Sequence, residues 1–225
     1  MAAVIQAKAN TSSKPQVVLR KLTQNDLRVV AETHLAVFSD SGLTMLGLEA
    51  VRRYYDWQLN GPHDVTALGA YVEGKLAGFC FGGIFRGATS GFLSQNRNYL
   101  AWRVLTHPWL LVNPVIRDRI NLSIRLLRKP VGATSTSSST EKAQPDKKPF
   151  GILAIAVHPK KQGLGIGKLL MLECENIARR QNFMEMDLTV HVENHQAIAF
   201  YESLSFERCE QDGDWKGWMK KTLCA

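Results

Sequence analysis

The stretch VHPKKQGLGIGKLL, residues 157–170, places three glycines and three lysines between an apolar run and a helix-like run. Residues of these types suit an anion, because the first amides of a helix point outward unpaired and the helix dipole adds partial positive charge there. Spacing decides which anion. A Walker A loop needs Gly where Gln162 stands and Ser or Thr where Leu169 stands. A dinucleotide GxGxxG begun at Gly163 ends on Lys168, and one begun at Gly165 ends on Leu170, so neither register closes. What fits is Gln162-x-x-Gly165-x-Gly167, after the apolar segment 152–157 and before the helical pattern Ile166, Leu169, Leu170, Cys174, Ile177. The glycines let backbone approach a ligand, and Lys160, Lys161 and Lys168 add charge around the mouth.

Strand, QxxGxG turn and helix resemble the pyrophosphate-binding motif of the GNAT superfamily of N-acetyltransferases, whose cosubstrate is acetyl-coenzyme A. A second stretch, LTVHVENHQAIAFYESLSF at 188–206, resembles the family's next strand–helix unit, with Asn194, Ala197, Phe200, Tyr201 and Phe206 at family spacing. One position departs: the family usually has Gly before the final Phe, and here it is Ser205. A Ser holds a helix end that Gly favours at a cost of about 1 kcal/mol.

The resemblance implies a set of site residues. The backbone of Ile155, Ala156 and Val157 would lie beside the pantetheine chain, and the Val157 amide would donate to the developing oxyanion where two central strands splay. Gln162, Gly163, Leu164, Gly165, Ile166, Gly167 and Lys168 would surround the pyrophosphate, with a solvated role for Lys168 equally open. Asn194 would hydrogen-bond the cosubstrate's arm. Tyr201 stands where the family often places the acid that protonates the departing thiolate, although such a tyrosine can also simply cap a core.

The amine's own proton is harder to assign. A substrate ammonium with a pKa near ~10 is neutral in only about one part in a thousand at pH 7. Many relatives use a strand glutamate as base, but FGILAIAV holds no acid and Thr189 stands just before VHVEN, where a glutamate often sits. His191, Glu193, Glu32, His34 and Asp40 are the remaining candidates, beside a water chain ending on backbone carbonyls.

The elements that would position these residues follow from pattern. A strand over 17–22 leads to a helix whose start is signalled by Thr23 or Asn25 and whose apolar face is Leu27, Val30, Ala31, His34, Leu35 and Phe38. FSDSGLTML reads as a turn, 46–59 as a second helix, and 66–72 with 75–82 as a hairpin joined by Glu73 and Gly74. Then come strand 150–157, helix 165–180, strand 186–192, helix 196–204, and a closing pair at 207–211 and 215–222. The resemblance implies an α/β (α+β) GNAT fold: a mixed, mostly antiparallel central sheet flanked by helices. One domain over 17–225 is expected, behind a loose tail at 1–16.

Between the third and fourth strands the chain departs from the compact family pattern. Helical spacing at 86–130, broken at Pro108 and Pro114, gives two or three short helices, and the Ser-, Thr- and Lys-rich stretch 131–149 reads as a flexible link. Residues 85–130 carry eight basic side chains against Asp118 alone, which is most of the chain's net charge of +8. Three readings of this insertion compete: a structural cap with Trp102, Trp109, Leu110, Ile120, Ile124 and Leu127 turned inward; a lid binding an anionic acceptor; or a basic face for RNA or an anionic membrane. The expected partners are acetyl-coenzyme A and an amine-bearing acceptor, anionic if the arginines face it. Nucleic acid and membrane surface rank below these, and a homodimer stays open.

No apolar run reaches the roughly 20 residues of a membrane span. The amino terminus shows no leader-like apolar core, and Cys80, Cys174, Cys209 and Cys224 have no CxxC spacing. A cytoplasmic protein with free thiols and no metal site is therefore expected. The function expected is acetyl-coenzyme A-dependent N-acetyl transfer to a primary amine, with a non-catalytic acyl-coenzyme A binder or a basic RNA- or membrane-surface module as the alternative.

Overall fold

A computed structural model of the chain describes residues 15–111, 148–211 and 213–223. One seven-stranded sheet runs in the order β1-β2-β3-β4-β5-β7-β6, with β1 at Val17–Lys21, β2 at Asp64–Val72, β3 at Lys75–Ile84, β4 at Phe150–Val157, β5 at Glu185–Thr189, β6 at Glu207–Arg208 and β7 at Trp218–Thr222. Every pairing is antiparallel except β4 with β5. This is the mixed, mostly antiparallel sheet that the resemblance implied. Glu73 and Gly74, at φ 52° and 74°, turn β2 into β3 as a two-residue hairpin.

Helices cover both faces. α1 (Leu27–Val37) and α3 (Leu48–Asn60) bury Val30, Ala31, Val51 and Tyr55 against Phe79 and Phe81 on one side. α6 (Ile166–Arg180) buries Ile166, Leu170 and Cys174 on the other, as its apolar spacing dictates. Cys174 reaches Cys80 of β3 at 3.4 Å between sulfurs, so the helix that opens at the glycine loop is seated on the centre of the sheet. α1 begins after Thr23, whose amide and hydroxyl both donate to the Asp26 carboxylate, at 2.9 and 2.8 Å.

Several boundaries differ from expectation. FSDSGLTML is more than a turn: Gly42–Met45 forms a short helix, α2, capped by the Ser41 hydroxyl, which accepts from the Thr44 amide at 3.1 Å. The strand expected to reach residue 192 stops at Thr189, because the Asn194 amide turns back to the His191 carbonyl at 2.8 Å. α7 is His195–Glu202, shorter than the expected 196–204, and the closing strands are shorter than expected, with only a bridge between Gln211 and Asp214 beyond them.

The described part of the insertion forms α4 (Ala88–Gln95), α5 (Arg97–Thr106) and a 3-10 turn at Pro108–Leu111. The expected break at Pro114, the inward packing of Ile120, Ile124 and Leu127, the link over 131–147 and the tail over 1–14 lie outside the described residues. Trp102 and Trp109 do not turn inward: they are 57% and 62% exposed, while Leu110 is buried. Trp102 lies two residues from both Leu100 and Val104, which puts it on the opposite face of the helix. Two of the segment's arginines are held by the fold, Arg103 donating to the Leu46 carbonyl at 3.0 Å and Arg86 to that of Pro62 at 3.1 Å.

Candidate active site

β4 extends to Val157 but pairs with β5 only from Phe150↔Met186 to Ile152↔Leu188. Beyond that point the two strands part, and a cleft of about 1570 Å³ opens between them. The register fixes what β4 presents to it. On the other edge the His158 amide donates to the Ala77 carbonyl at 2.8 Å, and Val157 stands opposite Gly78, Ala156 opposite Phe79 and Ile155 opposite Cys80. Antiparallel partners alternate between exchanging hydrogen bonds and not doing so. His158 and Ala156 therefore spend their backbone groups on β3, while the amides and carbonyls of Val157 and Ile155 turn to the cleft. The Gln162 side-chain amide reaches the Val157 carbonyl loosely, at 3.4 Å.

The loop that follows β4 is shaped by its glycines. Gly163 and Gly165 take φ values of 79° and 74°, the left-handed region that glycine enters freely. A Cβ at either position would meet nothing within 4 Å, so the conformation and not crowding selects glycine there. Gly165 caps α6, and Ile166, 1% exposed, anchors its first turn in the core while its amide stays at the loop. At Gly167 a Cβ would come within 3.4 Å of the Phe200 ring, an ordinary contact distance. Among the described residues the Gly163, Leu164 and Gly165 amides have no backbone partner. Free amides, left-handed glycines and the positive end of a 15-residue helix fit a pyrophosphate, with Lys168 on the lining; Lys160 and Lys161, in the 3-10 turn that precedes the loop, are not on it.

α7 supplies the facing wall. The Asn194 side-chain oxygen caps it by accepting from the Ala197 amide at 3.1 Å, which leaves the side-chain NH2 for a ligand. Tyr201 lies one helix length on, its ring 5.3 Å from that of Phe200 and 6.0 Å from that of Phe206. Burial, with a smaller contribution from Cys80, pushes its phenol well above the ordinary tyrosine value. The end of α7 fixes it further. The Phe206 amide donates to the Tyr201 carbonyl at 3.1 Å and the Ser205 amide to that of Glu202 at 2.9 Å, with Ser205 at φ 65°. That is a Schellman end with Ser where Gly is usual.

Of the twelve residues that the sequence assigned to the site, eleven line the cleft: Ile155, Ala156, Val157, Gln162, Gly163, Gly165, Ile166, Gly167, Lys168, Asn194 and Tyr201. Leu164 does not; it is 37% exposed, since the left-handed glycines on both sides of it turn its side chain outward. The candidate bases fare differently. Glu32, paired with Arg28 at 3.1 Å, and Asp40 and Glu193 are exposed and off the lining. His191, Thr189 and His34 are on it. His34 is occupied at both nitrogens, Nδ1 by the Tyr55 hydroxyl at 2.9 Å and Nε2 by the Ser41 hydroxyl at 3.3 Å. Burial lowers its pKa to about 4, so it is neutral and too weak a base to deprotonate an ammonium.

Apart from His34, sequence reasoning named no residue of the other half of the cleft as part of the site, although it offered the insertion as a lid over an acceptor. Phe38, Leu43, Leu46, Tyr54, Phe92, Leu93, Leu100 and Val104 form that wall, from α1, α2, α3, α4 and α5. The insertion is thus a wall of the cleft itself. Tyr54 packs edge-on to Phe92 at 5.4 Å, and Arg53 lies over the Tyr99 ring at 4.4 Å, which ties α3 to α4 and α5.

The chain is similar to known acetyltransferases. The family model for the acetyltransferase (GNAT) family matches residues 35–206. The chain is similar to a mycothiol acetyltransferase of Kocuria rhizophila, 38% identical over 61 residues, which are 27% of this chain and 20% of that one. It is also similar to a spermidine N(1)-acetyltransferase of Thermoplasma acidophilum, 29% identical over 103 residues, 46% of this chain and 63% of that one. The chain thus spans a fifth of the first relative and less than two thirds of the second. Among solved structures, the PaiA N-acetyltransferase of Thermoplasma acidophilum in complex with coenzyme A superposes with a TM-score of 0.54 at 16% identity, over 92% of this chain and 99% of that one. With the family's sheet, its splayed strands and its glycine loop all in place, and its model matching most of the sequence, the chain belongs to the GNAT family of acetyltransferases.

Proposed function

We propose that the protein moves an acetyl group from acetyl-coenzyme A to a primary amine by direct attack, with both substrates held in the cleft. The observation that carries this reading is the turned-out edge of β4, Ile155 and Val157, running without a break into the QxxGxG loop. The coenzyme supplies the activated acetyl group. The loop amides and Lys168 would hold its phosphates, the β4 edge and the Asn194 amide its pantetheine arm. The Val157 amide stands to stabilise negative charge on the acetyl oxygen. Tyr201, reluctant to ionise, keeps its proton at neutral pH and is a hydrogen-bond donor for the departing sulfur. The carbon–nitrogen bond forms as the carbon–sulfur bond breaks, and the amine's proton leaves to solvent or to His191.

One observation favours the rival reading, a coenzyme A binder without turnover: no described residue on the lining is an Asp or Glu. Thiol release decides between them. Tyr201→Phe is expected to lower kcat about 100-fold while the acetyl-coenzyme A dissociation constant stays within about threefold. An unchanged kcat would remove Tyr201 from the chemistry. A wild-type protein that binds acetyl-coenzyme A and releases no thiol to any of a broad amine panel would establish the binder.

A further inference from the structure

The acceptor half of the cleft has a chemistry of its own. Its wall is mostly aromatic and aliphatic, with Phe38, Tyr54, Phe92, Leu100 and Val104 and with Leu105 at the rim, and it carries the hydroxyls of Ser41 and Thr89 as well. Phe92 is 3% exposed, and Tyr54 is desolvated enough for its phenol to be pushed up to about 12, so both belong to the packed wall and not to the outer surface. Arg97 and Lys168 are the only Lys or Arg side chains among the described lining residues, and no carboxylate accompanies them.

We infer that the acceptor is a lipophilic monoamine, with one amino group on an aromatic or branched aliphatic body. The inference rests on the acetyl-transfer reading and names its substrate. A second ammonium on the acceptor would meet the like charge of Arg97 and no counter-ion among the described lining residues, and it would lose part of its hydration against the apolar side chains. An apolar body, by contrast, exchanges water for the rings and aliphatic chains of α1, α3, α4 and α5. The absence of a carboxylate on the described lining points the same way. A polyamine must be steered and partly neutralised by acidic groups, whereas a monoamine needs only to lose its own proton to solvent.

The test is thiol release by the full chain with 2-phenylethylamine and with spermidine under saturating acetyl-coenzyme A. It is read beside the thermal shift that acetyl-coenzyme A alone produces and beside turnover of octanoyl-coenzyme A. The expected result is a kcat/KM for 2-phenylethylamine about 30-fold or more above that for spermidine, reduced about fivefold by Leu105→Asp, since a new carboxylate attracts the polyamine. Leu105 is 80% exposed, so that variant retains the fold. Val104→Asp, deeper on the same helix, should reduce the ratio further.

A thermal shift with equal or better turnover of spermidine overturns the inference and leaves acetyl transfer standing. A thermal shift with no release to either amine overturns it too. So does octanoyl-coenzyme A turning over faster than acetyl-coenzyme A with no advantage for 2-phenylethylamine, because the apolar wall would then belong to the acyl chain. No thermal shift overturns the acetyl-transfer reading itself, and the inference with it.

Discussion

The two halves of the cleft are built by different means. The half we assign to the coenzyme comes mainly from one run of chain, β4, the glycine loop and the start of α6, with Asn194 and Tyr201 of α7 facing it, and most of the groups it presents are backbone amides and carbonyls. The half we assign to the acceptor comes from two stretches of chain, α1 to α3 and α4 with α5, and it presents side chains. A backbone-built site is fixed by where strands pair and where glycines turn, and it tolerates exchange of most of the side chains around it. A side-chain-built site keeps its shape through packing and can change its ligand by single substitutions. One half can thus stay constant across a family while the other diverges.

This division is tested most severely at the backbone. Gly165→Val forces a β-branched residue to a φ of 74°, where it is a genuine outlier that costs on the order of 1–3 kcal/mol locally and displaces the loop amides. The expected outcome by calorimetry is a 100- to 1000-fold weaker acetyl-coenzyme A complex. Leu105→Asp, in the other half, should move that affinity less than about twofold. If both variants weaken the coenzyme alike, the cleft is not divided in this way.

A smaller effect separates the halves by pH. His34 braces the acceptor half through Tyr55 and Ser41, is 7% exposed, and has its pKa lowered by burial to about 4. Between that value and the unfolded histidine's ~6.5 the unfolded chain binds the extra proton. Its contribution is therefore complete above about pH 6.5 and is lost as pH falls towards 4, by up to about 3 kcal/mol. Urea unfolding at pH 7 and pH 4.5 should show that loss in the wild type and less of it in His34→Gln. Equal losses would mean that the pH dependence originates elsewhere.

What is legible in the sequence follows the same division. The QxxGxG loop and the Asn194 to Phe206 spacing are local, so their residues can be named from the order of amino acids alone, and the apolar run FGILAIAV is enough to place β4. Leu164 is the exception inside the loop, because membership of a motif says nothing about which way a side chain turns between two left-handed glycines. The residues of the helical wall cannot be picked out in the sequence for the opposite reason, even though the insertion could be offered as a lid. Phe38, Tyr54 and Phe92 are ordinary apolar positions on amphipathic helices, and only the tertiary arrangement gathers them around one space. The charge of the insertion misleads in part. Arg86 and Arg103 serve neighbouring carbonyls, and the tryptophans expected inside face outward, because charge and aromaticity read along a sequence do not reveal which helix face meets a partner.

The slightest change is anticipated where the coenzyme half meets the sheet. Ser205 holds φ 65° at the end of α7, in the hydrogen-bonding pattern that also fixes the Tyr201 carbonyl. Ser205→Gly relieves the side chain's penalty in that region but gives the unfolded chain more freedom, so the net gain is limited to about 1 kcal/mol or less. Asn182 provides an internal control: it takes φ 59° at the end of α6, where the Phe183 amide donates to the Ala178 carbonyl at 3.0 Å and the Asn182 amide to that of Arg179 at 2.9 Å. Asparagine tolerates this conformation better than serine does, so Asn182→Gly should gain less than Ser205→Gly when both are measured by urea midpoint. If Ser205→Gly also lowers kcat while raising stability, the strained turn contributes to aiming Tyr201; if kcat is unchanged, the turn is structural alone, and the family's usual glycine would be kept at that place for folding.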